Sequence, residues 1–570
     1  MKLFQKVASP SVVTLLLGAS CLTVFSSCKK SSQPGSTTSI SSEDEKNLKP
    51  VKNDWMVSAL EVNPQILNPI LASDGYSPMV MSNIFEGLLS WDVETAQPRG
   101  RLAESWTISK DGLTYDFILR KNVVFHDGKP LTAEDVKFTF DSIKNPKVDA
   151  AHLQNYFSGL VSTEVVDPYH IRFKMKNAYY RNLIMLGDTQ IMPKHIYGVG
   201  DFNTNPVNRK PVGSGPYVFS KWEEGRVIEL KRFDNHWSNH VDFWKDRFNF
   251  NRLLFRVINE SAVQVMAVKK GEIDGFEPKA SQWIHDFSDP KLDQTLYRLK
   301  YKTMDGNGYN YVGWNLSHPF FSIKEVRQAL AHAIPREEIN KKIYGGLEDL
   351  CISNFPATSP KTDPQLKPIN YDLDAARMLL AKAGFVEKDG VLQKDGKKFQ
   401  FELLFGAGNS DAERIALIFR QSLQNLGIEM NIRTLEWTVF LKQLESHKFD
   451  AVMLSWTSSL DEDPYQIWHS SQTHGKGSNF IGYKNARVDE LLEKARVTLN
   501  TDERNKMYQE FSRILADEAP YLFLFERPSL WVGSRRFKHV LPTGTLGLDS
   551  DRWFTPLGLE KYKNAASAAP

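Results

Sequence analysis

The sequence predicts a mixed α/β protein of more than one domain. Three observations predict it. Apolar residues recur with strand period and then helix period along most of the chain, turns rich in Gly and Pro separate the segments, and 570 residues exceed what one hydrophobic core serves. Hydrophobic residues make up 41% and aromatic residues 12%, the composition of a globular body. The 71 basic and 68 acidic side chains leave a formal charge of +3, with neither a basic stripe nor an acidic tail, so no nucleic-acid partner is expected.

From the N-terminus, Lys2 and Lys6 precede an apolar run from Val12 to Leu17 and on to Phe25, long enough for a signal-peptide core but short for a membrane span. Residues 1–28 are therefore read as an export signal and 29–50 as a flexible tether, because Ser31 to Ser42 is rich in Ser, Gly and Thr. Phe25-Ser26-Ser27-Cys28 resembles a lipobox, whose cysteine is acylated. Cys21, after Gly18-Ala19-Ser20, is the rival position. The third cysteine, Cys351, stands alone in the body, so no disulfide framework and no structural zinc are expected.

In the body, Asn53 to Val62 reads as a strand, and Leu67-Asn68-Pro69 breaks it before a helix from Ser77 to Leu89. Tyr115, Phe117 and Leu119 alternate with polar positions between turns at Asp111-Gly112 and Asp127-Gly128, which predicts a strand with one buried face. Thr132 and Asp135 then form a capping box for a helix whose stripe is Val136, Phe140 and Ile143. Ile171, Phe173 and Met175 make another strand after Asp167-Pro168. Pro211-Val212-Gly213-Ser214-Gly215-Pro216 reads as a sharp turn that uses glycine backbone angles.

From Val312 helices dominate. Ser322 and Glu325 are expected to cap a helix carrying Val326, Ala329, Leu330 and Ala333, Pro335 to open a second, and Asp372 to cap a third that stops at Gly384. Phe401 to Phe405, a helix from Ala412 to Leu426, and Ile428 to Leu435 follow in the order of a doubly wound unit. A last helix around Met507, Phe511 and Leu515 precedes Tyr521 to Phe525, a strand expected to return the chain to its first lobe.

Several literal strings exceed these patterns. Ala103-Glu104-Ser105-Trp106, Asp111-Gly112, Phe125-His126-Asp127-Gly128, Pro130, Thr132-Ala133 and Asp135-Val136 strongly resemble the signature of the family 5 extracellular solute-binding proteins, the peptide and nickel receptors of ABC importers. Phe85-Glu86-Gly87-Leu88, the Gly213-Ser214-Gly215-Pro216-Tyr217 string and the stretch from Val326 to Ile339 resemble the family again. The resemblance implies a large two-lobed periplasmic-binding-protein fold of class II, cluster C type. Lobe I would comprise 51–87, 204–311 and 526–570, an inserted subdomain 88–203, and lobe II 312–525, with crossings near Tyr311 to Asn315 and Tyr521 to Glu526.

It also implies an exported receptor, lipid-anchored to a membrane through Cys28 and monomeric. Such a receptor captures an extended peptide by hinge closure and delivers it to a permease with two ATPase subunits. No cofactor and no catalytic residue are expected. By resemblance the ligand would touch Asp74, Gly75 and Tyr76 on one lobe, Tyr156 on the insert, and Trp437, Trp456, Ser458, Ser459, Asp461 and Asp463 on the other.

Three departures bear on the ligand. The acid that holds a peptide amine in the resembling receptors corresponds to Ser459, with Asp461 and Asp463 just beyond it. Their two carboxylate-binding basic residues correspond to Leu444 and Met453. A nickel, heme or oligosaccharide receptor is therefore the alternative, with His469 and His474 as metal candidates. An exported hydrolase is the remaining class, opposed by the lack of a G-x-S-x-G elbow or H-E-x-x-H pair and by the place of His126 in a turn string.

Overall fold

Alternation at Tyr115, Phe117 and Leu119 becomes the strand Thr114–Leu119, with those three rings and chains buried and the intervening residues half-buried. The computed structural model that shows this describes residues 48, 50–154, 156–473 and 477–562. The segment read as an export signal, most of the expected tether, both N-terminal cysteines and His474 lie outside the described residues.

Thr114–Leu119 pairs with Ala103–Ile108 and His170–Met175 in a four-stranded antiparallel sheet closed by Leu160–Asp167. The helix Ala133–Lys144 begins with the expected capping box and buries Val136, Phe140 and Ile143 against this sheet. Phe140 meets Phe173 edge-on at 4.7 Å. The same apolar cluster continues into the seven-stranded sheet of lobe I, so the insert shares the core of that lobe.

The seven-stranded sheet runs Leu296–Tyr301, Ser529–Ser534, Gly275–Phe276, Trp55–Leu60, Arg252–Val257, Val227–Arg232 and Tyr217–Glu223. The six-stranded sheet of lobe II runs Asp349–Leu350, Tyr521–Glu526, Tyr309–Trp314, Ala451–Trp456, Gln400–Gly406 and Glu429–Leu435. Tyr521–Glu526 is buried at every position because its two faces serve two cores. Leu522 and Leu524 face the cluster that includes Ile339, Leu380 and Phe419. Tyr521 and Phe523 face Leu444, Leu492 and Phe511. Helices thus cover both sides of the sheet.

Several expectations are corrected. The helix expected from Ser77 to Leu89 is only Ser77–Met81, and Leu89–Trp91 is a strand. Chain packing explains it: Gly213 and Gly215 press their backbones on Ile84 and Asn83, where a Cβ would stand 2.0 Å from Ile84 O and 2.6 Å from Asn83 O. Those two glycines are absent from the left-handed region, so close approach, not backbone angle, requires them. Ser322 does not cap its helix, since its hydroxyl bonds Pro319 O at 3.0 Å instead.

Lobe II is a mixed sheet. Glu429–Leu435, Gln400–Gly406 and Ala451–Trp456 pair in parallel, and Tyr309–Trp314 runs antiparallel between Ala451–Trp456 and Tyr521–Glu526. Both strands expected to cross between lobes lie side by side inside this sheet. The chain instead passes between the sheets at 302–308 and 527–528. Lys302 pairs there with Asp349 at 2.7 Å, and Asn307 donates to Ser529 Oγ at 2.7 Å.

Candidate functional site

A cavity of about 870 Å³ lies between the insert, over 152–185, and lobe II, over 456–497. The insert wall exists because the strand His170–Met175 ends and releases the loop that carries Tyr179, Tyr180 and Arg181. Tyr179 donates from its hydroxyl to Asp463 Oδ2 at 2.9 Å. The buried Tyr180 hydroxyl meets the carbonyls of Glu462 at 2.9 Å and Asp461 at 3.1 Å, while its N–H donates to Arg496 O at 3.0 Å. Two guanidinium groups stack on these rings, Arg496 5.0 Å from Tyr179 and Arg504 4.2 Å from Tyr180.

The lobe II wall begins at Trp456, the last residue of its strand. Its ring lies parallel to Tyr311 at 6.3 Å and to Phe480 at 6.2 Å. Gly308, at φ +96°, is required beside it, because a Cβ would stand 1.9 Å from Trp456 O. Tyr465 stacks on His469 at 4.1 Å, and that imidazole bonds Ser471 Oγ at 2.7 Å and Glu493 at 3.2 Å. Among the described residues no cluster of three or more His, Cys, Asp or Glu is placed to hold a metal ion.

Three consecutive acids divide the electrostatics of this wall. Asp461 pairs with Lys361 at 2.8 Å and Arg504 at 2.9 Å, and its N–H donates to Asp305 at 3.1 Å. Asp463 pairs with Arg496 at 2.9 Å and also accepts the Tyr179 bond. Glu462, between them, has no side-chain hydrogen bond among the described residues. Burial pushes its carboxyl up to about 7 against the opposing pull of Lys361 and Arg181.

Of the residues singled out in the sequence, Tyr156, Trp456, Ser459 and Asp463 line this cavity. Ser458 lies in the same loop, and Asp461 stands behind the wall in its ion pairs. Asp74, Gly75, Tyr76 and Trp437 are elsewhere. Asp74 accepts from the backbone of Tyr76 at 2.8 Å and Ser77 at 2.7 Å, and Tyr76 donates to Glu61 at 3.1 Å. Trp437 is 54% exposed and packs on Phe440. Leu444 and Met453 are core residues, 0% and 6% exposed.

Sequence reasoning missed Tyr179, Tyr180, Arg181, Glu462 and Arg496. The first three carried one signal, a pair of tyrosines next to an arginine, set after a strand and outside any apolar period, and Glu462 stood between the two acids already singled out.

Comparison with known proteins places this geometry. The chain is 33% identical over 505 residues to the oligopeptide-binding protein AppA of Bacillus subtilis, covering 86% of this chain and 89% of that protein. The structure of that AppA with a nonapeptide superposes with a TM-score of 0.69 at 29% identity, over 89% of this chain and 100% of the other. The structure of NikZ from Campylobacter jejuni with Ni(L-His) gives a TM-score of 0.70 at 29% identity, over 88% of this chain and 99% of the other. The profile of the bacterial extracellular solute-binding proteins, family 5 middle region, matches residues 97–478. With a match over most of its length and two lobes facing across a cavity, the chain belongs to the family 5 extracellular solute-binding proteins.

Proposed function

We propose that this chain is the substrate-binding lipoprotein of a peptide ABC importer and no enzyme. It would capture an extended peptide between insert and lobe II and present it, lobes closed, to a permease with its ATPase subunits. The observation that carries the reading is the pairing of the Trp456 strand end with a cavity whose two walls are bridged by the Tyr179–Asp463 hydrogen bond. Similarity to an oligopeptide-binding receptor over most of both chains supports it. Physically, a strand end supplies main-chain donors and acceptors to any peptide, and closure strengthens those bonds by excluding water. Micromolar affinity, about 8 kcal/mol, fits such a reversible carrier.

The lobe limits of 51–87, 204–311 and 526–570 against 312–525, with 88–203 as insert, belong to the same proposal once the two crossings are moved to 302–308 and 527–528, as do acylation at Cys28, an extracytoplasmic location and a monomeric state. Among the described residues no helix is long and apolar enough to cross a membrane. Isothermal titration of the full chain in detergent, with a peptide pool, nickel–histidine, heme and oligosaccharides in separate runs, tests the reading. Heat with peptides and intact peptides afterwards are expected. Heat only with the other ligands, or cleaved peptide, overturns it.

A further inference from the structure

One guanidinium in the cavity is left unanswered by the fold. Arg181 lines the insert wall, and its Nε is buried with no hydrogen-bond partner among the described residues. No ion pair among the described residues takes it up: Asp463 is committed to Arg496, and Asp461 to Lys361 and Arg504. Burial works against its charge, and the surrounding acidic groups, Asp463 and Asp461 among them, outweigh that and favour the charged form. A buried charge short of acceptors is costly to keep unless something else supplies them.

On the facing wall, Glu462 lines the same cavity without a hydrogen bond to its carboxyl among the described residues. Its two neighbours in sequence are neutralised and it is not. One cavity therefore carries an unmet cation on the insert and an unmet acid on lobe II. Its 870 Å³ falls within the roughly 300–1,000 Å³ of sites that enclose small ligands.

We propose that Arg181 receives the carboxylate of the bound ligand and Glu462 its ammonium, so that the site selects short peptides with both ends free. The inference rests on the peptide reading above. It also assigns new residues to the carboxylate-binding role, since the positions that correspond by resemblance, Leu444 and Met453, are buried apolar core.

The test is titration of the full chain at about pH 7.4, where most peptide amines are still protonated, with a pool of tripeptides, the same pool as C-terminal amides, and the same pool N-acetylated. Amidation and acetylation should each weaken binding roughly 10- to 100-fold, the effect of removing hydrogen bonds between charged partners. Arg181→Gln should abolish the difference between acid and amide, and Arg181→Lys should restore part of it. Glu462→Gln should abolish the difference between free and acetylated amines. The wild-type comparison needs no variant, so a misfolded substitution leaves it decisive. Equal affinity for acid and amide overturns this inference while the peptide reading stands. No heat with any free peptide overturns both.

Discussion

Tyr179 of the insert donates its hydroxyl to Asp463 of lobe II, and the 2.9 Å bond joins two segments 284 residues apart. Burial and the Asp463 carboxylate both push the phenol up, so it keeps the proton it donates. The acceptor is already held by Arg496, which makes the pair a latch between the two walls of the cavity. Tyr179→Phe removes the bond and leaves Asp463 its cation. Ligand affinity should fall roughly tenfold, the lower end for a hydrogen bond to a charged group. Small-angle scattering should show a more expanded unliganded particle than wild type. An unchanged affinity and profile would mean that the latch does not bias closure.

Glu86 is a second junction, buried where the insert meets lobe I. Its carboxylate accepts from Trp237 Nε1 at 3.0 Å and Ser214 Oγ at 3.2 Å, and pairs with Arg101 at 2.9 Å and His236 at 3.3 Å. Burial works against the charge, but His236 and Arg101 pull the carboxyl down from 4.5 to about 2. A depressed acid stabilises the fold above its unfolded value, and that stability is lost as pH falls from about 4.5 toward 2. Nearby His126 is driven down from 6.5 to about 4 by burial, so the unfolded chain takes up a proton that the fold refuses. Stability therefore also declines between pH 6.5 and 4. Glu86→Gln should cost about 3–5 kcal/mol at pH 7 by stranding its buried partners, and should flatten the acid limb below pH 4.5. Urea unfolding at several pH values measures both effects.

How much of this was legible in the sequence follows from what each feature depends on. The strand Thr114–Leu119 and the helix Ala133–Lys144 rest on local period and local caps, and both were readable. The segment from Ser82 to Leu88 looks helical by composition, but it yields to Gly213 and Gly215 arriving from far along the chain. Tyr521–Glu526 was readable as a strand but not as a central one, because its uniform apolarity is shared by any doubly covered strand. Within the site, Trp456 was readable as an aromatic at a strand end. The roles of Asp461, Glu462 and Asp463 were not, because adjacent acids differ only in which distant cation reaches them.

Gly308 stands at the first passage between the sheets, in the left-handed region and against the carbonyl of Trp456. Gly308→Ala must both strain the backbone and push the strand end away from the cavity wall. A loss of about 1–3 kcal/mol of stability is expected from the backbone angle alone, together with weaker binding. Gly75→Ala is the contrast, since open space surrounds that position. Its stability should stay within about 0.5 kcal/mol of wild type. Paired denaturant titrations of the two variants check the prediction, and equal losses would sink it.

The Glu462 carboxyl, pushed up to about 7 by burial, makes ligand capture sensitive to pH in a stated direction. Lys361 and Arg181 face it as cations and Asp305 and Asp463 as anions, and these four set the field in which it titrates. For the unliganded fold a raised acid is a cost: stability falls as pH rises from about 4.5, its ordinary value, to about 7. For binding the sign reverses, because only the deprotonated form balances a ligand ammonium. Affinity for a peptide with a free amine should therefore rise severalfold between pH 6 and about pH 7.4, then level off as the peptide amine itself begins to lose its proton at about 7.7–8.0. Glu348 and Glu526, near the passages between sheets, are raised to about 7 and about 6 and titrate in the same window. The same peptide N-acetylated carries their influence without the ammonium, so the difference between the two pH profiles isolates Glu462. Parallel profiles for the free and acetylated peptides would remove Glu462 from amine recognition.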